Sequence, residues 1–244
     1  MSGETHLARI SLDRRATIRA AARGRARSAD PGYLLHSALS LVFASSDEPA
    51  EVPFSCYAWD DLREQNMSWQ DRGRMLPLLA YAACDADALR SRMGHPDLVQ
   101  SLETKRAPEL PVGASCGFRV RVCPVVRTRR GADGVSRGRK VKSRELDAFT
   151  HAQIEQPDIT RDEAYAQWLR KQLAEAAEVT QCGVTELRTD RMHRKGGGPF
   201  AHSNVVLEGT VQVTDAAAFS AVLARGVGRH RTFGFGMLLL RPAR

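Results

Sequence analysis

The stretch Ala224-Arg-Gly-Val-Gly-Arg-His-Arg-Thr-Phe-Gly-Phe-Gly-Met-Leu-Leu-Leu240 decides how the second half of this chain folds. It starts at the end of a short apolar helix, Ala216 to Leu223, and closes on an apolar strand, Met237 to Leu240. Between them Gly226, Gly228, Gly234 and Gly236 alternate with Arg225, Arg229, His230 and Arg231. Glycine lets a backbone take positive φ angles and approach a ligand closely. Arginine adds a fixed charge and a planar fork that suits phosphate. The spacing therefore predicts a polyanion cradle between helix and strand, with Arg225, Gly226, Gly228, Arg229, His230 and Arg231 as contact residues. A helix C-cap followed by a strand with close neighbours would account for two of the glycines without a ligand. Neither familiar nucleotide motif fits: a dinucleotide fingerprint would need glycine at Arg231, and no Gly-Lys-Ser/Thr ends the loop. An RNA backbone suits this cradle better than a nucleotide.

Working outward, the second half reads as strand, helix, strand, strand, helix, strand. Cys116 to Val126 alternates Phe118, Val120 and Val122 with Arg119 and Arg121. Asp162 to Val179 is the clearest helix, with Tyr165, Trp168, Leu169, Leu173 and Ala176 on one face. Thr180 to Arg188 and Asn204 to Val213 follow as strands, and Phe235 to Leu240 closes the sheet, with at least one of Phe233 and Phe235 buried. The first half repeats that order. His6 to Leu12 is a strand, and the arginine-rich 14–27 segment reads as a mobile connection. Asp30-Pro31 then caps a helix whose apolar face is Leu34, Leu35, Ala38, Leu39 and Val42. Val52 to Trp59 and Leu76 to Ala83 are strands, Asp85 to Met93 a short helix, and Leu98 to Leu102 an edge strand. Each half is the βαββαβ unit. The expected fold is thus α+β, two tandem ferredoxin-like (RRM-like) domains: residues 1–104, a proline-containing linker 105–111, and residues 112–244.

Composition narrows the partner. The 244 residues carry a formal charge of +8 and a pI near 9.7, which favours an acidic partner, nucleic acid first. The charge is clustered: residues 9–27 hold seven arginines against one aspartate, and residues 119–144 hold ten Arg or Lys against Asp133. In the second cluster Arg127, Arg129, Arg130, Arg137, Arg139, Lys140 and Lys142 are expected to lie along A-form RNA, where phosphate contacts dominate. Five scattered cysteines with no Cys-x-x-Cys pair point to a reducing compartment and away from structural zinc. No apolar run is long enough for a membrane span, and the N-terminus lacks a signal-peptide core, so a cytoplasmic protein with no membrane partner is expected.

Tyr33 and His36 are three apart on the helix after Asp30 and share a face. Histidine titrates near neutrality and phenol can donate, so together they supply what RNA cleavage without a metal requires. A base takes the 2′-OH proton, the oxygen attacks phosphorus, and an acid protonates the leaving 5′-oxygen. Which residue plays which part is open at this level. No His, Asp or Glu set has metal-ligand spacing, and no cofactor is expected.

Three segments resemble the CRISPR-associated CasE endoribonucleases, the repeat-processing subunits of type I-E Cascade. Asp30-Pro-Gly-Tyr-Leu-Leu-His36 looks like the family's segment holding its catalytic tyrosine and histidine. Phe118-Arg-Val-Arg-Val-Cys-Pro-Val-Val-Arg127 looks like its strand ending in a basic, proline-containing turn. Val206-Leu-Glu-Gly-Thr-Val-Gln-Val-Thr-Asp215, then Gly226 to Leu238, looks like its closing strand, helix and glycine-rich loop. The resemblance implies binding of CRISPR repeat hairpins and cleavage at the 3′ base of the stem. The products would be a 2′,3′-cyclic phosphate (or 3′-phosphate) and a 5′-OH, with the mature crRNA retained alongside other Cascade subunits. His36 carries over as the catalytic histidine and Tyr33 as its partner. Two further readings stand beside this one: a catalytically silent RNA-hairpin-binding subunit, and a basic assembly module.

Overall fold

Alternation along the first strand sets the architecture. In β1 (His6–Asp13) Ala8, Ile10 and Leu12 are buried on one side, while Leu7 joins a different core on the other. The computed structural model describes residues 4–23, 31–44, 52–59, 73–128, 144–192 and 200–242. After β1 come helices α1 (Arg14–Arg23) and α2 (Pro31–Val42), strands β2 (Phe54–Trp59) and β3 (Met75–Ala82), helix α3 (Ala86–Ser91) and strand β4 (Val99–Arg106). The strands form an antiparallel sheet in the order β2-β3-β1-β4, the ferredoxin-like arrangement, with α1 a helix beyond the motif's two among the described residues. In α2, Leu35, Ala38, Leu39 and Val42 are buried at helical spacing. The expected cap at Asp30 lies outside the described residues, whereas Asp85 does cap α3, accepting the Ala88 N–H at 3.0 Å.

The 14–27 segment is helical from Arg14 to Arg23 instead of a loose connection. Asp13 accepts the Ala16 N–H at 2.6 Å, Thr17 is fully buried, and Ala16 and Ala20 pack on the first core. Small residues at that spacing seat a helix that its arginines do not disturb. Strand β4 runs on through Lys105 and Arg106, and Ala107 donates to the Thr5 carbonyl at 2.8 Å.

The second sheet comprises β5 (Ser115–Val122), β8 (Ala177–Met192), β9 (Phe200–Val213) and β10 (Leu238–Pro242), in the order β10-β5-β9-β8. Helices α4 (Ala148–Glu155), α5 (Arg161–Leu173) and α6 (Ala216–Arg225) accompany it. The strand expected from Cys116 to Val126 breaks at Cys123-Pro124, because proline has no N–H for the ladder. Beyond the break, β6 (Val125–Thr128) pairs with β7 (Arg144–Asp147) as a separate ribbon. Helix α4, which the sequence reading lacked, is capped by Asp147. Helix α5 starts on a Thr160/Glu163 capping box and stops well short of Val179. Ala177 and Val179 are both buried, which is strand spacing. Strand β10 begins at Leu238 because Gly234 and Gly236 take φ values of 88° and 85°, which a strand cannot use.

The two sheets are not independent. The outer face of the first sheet presents Cys56, Ala58, Leu79 and Tyr81 to Phe219, Val222 and Leu223 of α6 and to Val227, Met237 and Leu238. Tyr81 donates its hydroxyl to the Leu238 carbonyl at 3.3 Å. Burial pushes the Cys56 thiol up to about 12, so it packs as a neutral apolar group. All five cysteines are free thiols. Among the described residues no helix is long and apolar enough to cross a membrane.

Candidate active site

The glycine-rich stretch leaves α6 and crosses onto the first unit. Gly226 ends α6 with φ 77°, donating to the Val222 carbonyl. A Cβ there would sit 2.6 Å from the Cys56 sulfur. Val227 donates to Gly236 and Gly236 to Arg121, both at 2.7 Å, which ties the loop's two ends to each other and to β5. A short 3-10 turn, Arg231–Phe233, occupies the middle. It is closed by Phe233 N–H to His230 at 2.9 Å and Gly234 N–H to Arg231 at 3.2 Å. A Cβ on Gly234 would run into the Trp59 indole, so the turn lies directly on β2. Gly228 likewise abuts the Trp168 ring. At Gly226 and Gly228, then, the missing side chain makes room for protein.

This crossing brings the loop to the expected pair on α2. Phe233 stacks on Tyr33 with ring centroids 6.5 Å apart and planes within 13°. It meets the His36 ring at 5.1 Å and a tilt of 56°. Tyr33, His36 and Phe233 are all half-buried. Tyr57 on β2 donates to the Gly32 carbonyl at 3.2 Å, fixing the start of α2 over the same strand that carries the loop. Burial lowers the His36 pKa below its ordinary 6.5 by disfavouring the charged ring. At neutral pH the imidazole is therefore uncharged and able to accept a proton, with a phenol one turn away.

The basic residues of the loop are organised around an acid. Glu145 on β7 takes Arg229 Nε at 2.7 Å through one carboxylate oxygen and His230 Nε2 at 3.3 Å through the other. Arg231 donates to the Arg225 carbonyl at 2.7 Å, bracing the loop across its own base. His230 has φ 59°, the one positive φ outside glycine among the described residues. Arg225 and Arg127 are exposed, and Arg127 stands opposite Glu145 in the β6–β7 register. Arg129, Arg130, Arg137, Arg139, Lys140 and Lys142 lie outside the described residues. Among the described residues no three His, Cys, Asp or Glu side chains gather into a group able to hold a metal ion.

Tyr33, His36 and the glycine-rich loop thus come together from opposite ends of the chain. Sequence reasoning missed Phe233 as their wall and Glu145 as the loop's anchor. Phe233 carried a signal, as the aromatic within Arg231-Thr-Phe-Gly234; Glu145 carried one only as the acid that ends a basic run.

Comparison with solved structures returns the same fold repeatedly. CRISPR endoribonuclease Cse3 bound to 19-nt RNA aligns over 98% of this chain and 100% of its own, at 20% identity and a TM-score of 0.62. Cas6e from Escherichia coli K-12 aligns over 98% and 100%, at 18% and 0.58. Thermus thermophilus Cse3 bound to an RNA representing a pre-cleavage complex aligns over 98% and 100%, at 21% and 0.57. At these identities the likeness is one of fold. No curated protein matches in sequence. The family model described as CRISPR associated protein matches residues 5–242, nearly the whole sequence, and the chain belongs to that family.

Proposed function

We propose that this chain is a CRISPR RNA-processing endoribonuclease that binds repeat hairpins in precursor crRNA and cuts at the 3′ base of the stem. The observation that carries the reading is the half-buried His36, its pKa lowered by burial, beside Tyr33 and beneath a basic glycine-rich loop. A neutral imidazole is a base, which favours His36 for removing the 2′-OH proton. The 2′-oxygen then forms a bond to the adjacent phosphorus while the bond to the 5′-oxygen breaks. Tyr33 gives that leaving oxygen its proton. The products are a 2′,3′-cyclic phosphate, open to later hydrolysis to a 3′-phosphate, and a 5′-OH. No metal takes part in this scheme.

Residues 1–104 supply the proton-transfer pair and residues 112–244 the basic surfaces, joined through 105–111. Exposed Arg225 and Arg127, half-exposed Arg229, and the basic residues between 129 and 142 hold phosphates along the stem. Many such contacts retain the cut RNA, so the chain stays with the mature crRNA in a Cascade complex in the cytoplasm. The similar folds described as Cse3 bound to RNA and as a CRISPR RNA-guided surveillance complex support both partners.

The test is cleavage of a labelled repeat hairpin in excess EDTA by wild type and His36→Ala, with a second RNA carrying a 2′-deoxy sugar at the cut. Wild type should cut in EDTA. His36→Ala and the deoxy RNA should both fail to react, with hairpin binding intact. Binding without cutting by wild type would leave a silent hairpin-binding subunit.

A further inference from the structure

The β6–β7 ribbon touches the glycine-rich loop in two ways. Its Glu145 carboxylate holds Arg229 and His230 together, and its Val125 packs with Phe233 and Phe235 around Cys123. The ribbon is itself anchored two residues beyond Glu145. Asp147 accepts the Ser203 hydroxyl at 2.6 Å and the Tyr165 hydroxyl at 3.2 Å. An isolated ion pair on a surface contributes little. This carboxylate is different: it is 19% exposed, it holds neighbouring residues with separate oxygens, and one of them is His230. A non-glycine residue at positive φ persists where its surroundings over-determine it. The turn that His230 opens ends at Phe233, the wall of the Tyr33–His36 pair.

We propose that Glu145 is a positioning residue: by holding Arg229 and His230 at once, its carboxylate fixes the glycine-rich loop so that Phe233 stays against Tyr33 and His36. This rests on the endoribonuclease reading for its effect on cutting, but not for its effect on His36. The strand that carries Glu145 pairs with the one that carries Arg127, so a stem held there would bear on the turn that completes the proton-transfer site.

Charge and position predict opposite signs, which makes the idea testable. Replacing Glu145 by Gln removes a negative charge, which alone would lower the His36 pKa. Loss of the Phe233 wall would hydrate His36 and raise it. Arg229→Gln breaks the same contact from the other side, but there charge and position act in the same direction, since losing a cation also raises the His36 pKa, so Glu145→Gln is the deciding variant. The elements packed on α2 carry the arginines of α1 (Arg14, Arg15, Arg19 and Arg23), Asp97 and Arg231. None of these changes in either variant.

The experiment is an NMR titration of the His36 ring in wild type, Glu145→Gln, Glu145→Asp and Arg229→Gln. Beside it run single-turnover cleavage of the repeat hairpin at saturating protein and a thermal melt of each variant. Glu145→Gln and Arg229→Gln should both raise the His36 pKa toward 6.5, and Glu145→Asp should hold part of the wild-type value. Glu145→Gln should slow cutting on the order of tenfold or more, as small displacements of a reacting pair do. Its hairpin affinity should be equal or tighter, because an acid beside the basic loop has been neutralised. A Glu145→Gln protein that melts like wild type, with an unchanged or lower His36 pKa, overturns the proposal. So does an unchanged cutting rate. If wild type itself does not cut, the endoribonuclease reading fails, and the titration alone still decides for or against the Glu145 role.

Discussion

Phe233 packs against both Tyr33 and His36. Its ring meets the imidazole at 5.1 Å, and burial of the imidazole lowers its pKa by disfavouring the charged form. The consequence has a definite sign. With the folded pKa below 6.5, cleavage at saturating protein should be flat around neutrality and fall only on the acid side, with its inflection below 6.5. A rate that fell as pH rose through neutrality would make His36 the acid instead of the base. The same shift acts on stability: the unfolded chain binds the proton more readily, so stability present above pH 6.5 is lost as pH falls toward the folded value. Single-turnover rates and thermal midpoints across a pH series check both. The roles expected of Tyr33 and His36 came from the family resemblance; that they share a helix face was legible in the sequence, because positions three apart lie together. Phe233 was not, because it reaches them from near the far end of the chain, through a contact that no local pattern encodes.

At the scale of elements, Asp147 ties the β6–β7 ribbon to the second core. It caps α4 by accepting the Phe149 N–H at 2.9 Å, and it also accepts the Tyr165 and Ser203 hydroxyls. Replacing it with alanine removes the cap and takes an acceptor from the hydroxyls of buried Tyr165 and half-buried Ser203. The expected cost is about 2–4 kcal/mol, from roughly 1 kcal/mol for a cap and about 1 kcal/mol or more per orphaned group. In a chain of this size that is a fall in melting temperature of roughly 5–15 °C, which calorimetry or circular dichroism would read. The helices read near Asp85, Asp162 and Ala216 are kept by the structure, which caps them with Asp85, the Thr160/Glu163 box and Asp215, whereas the Asp147 cap of α4 went unread. The misread boundaries have tertiary causes. Helix α1 depends on Thr17, Ala16 and Ala20 finding the first core. The end of α5 depends on Ala177 and Val179 joining β8, where strand pairing outweighs the helical potential of an alanine-rich run. The break at Pro124 was open to view, since proline cannot continue a central ladder.

For the whole molecule, the tandem ferredoxin-like order followed from alternation and turn chemistry, but the contact between the units did not. Cys56, Ala58, Leu79 and Tyr81 look like ordinary strand residues until α6 and β10 cover them. A hint lay in Met75-Leu-Pro-Leu-Leu-Ala-Tyr-Ala82, nearly continuous in apolar residues, as expected of a strand buried on both faces. That shared core couples α2 to the glycine-rich loop, since the loop rests on β2 and α2 begins over the same strand. If the units are held as one by this surface, they should unfold together. Tyr81→Ala removes a side chain only 4% exposed and a hydroxyl bonded to Leu238. The expected loss is about 3 kcal/mol or more, as for other large aromatic truncations. Melts followed by far-UV circular dichroism and by tryptophan fluorescence, with Trp59 in one unit and Trp168 in the other, should coincide in wild type and shift together in the variant. Two separated transitions in wild type would mean that each unit stands alone. The Tyr33–His36 pair would then depend on loop contacts alone for its wall, and truncating Tyr81 would lower the first transition while leaving the second in place.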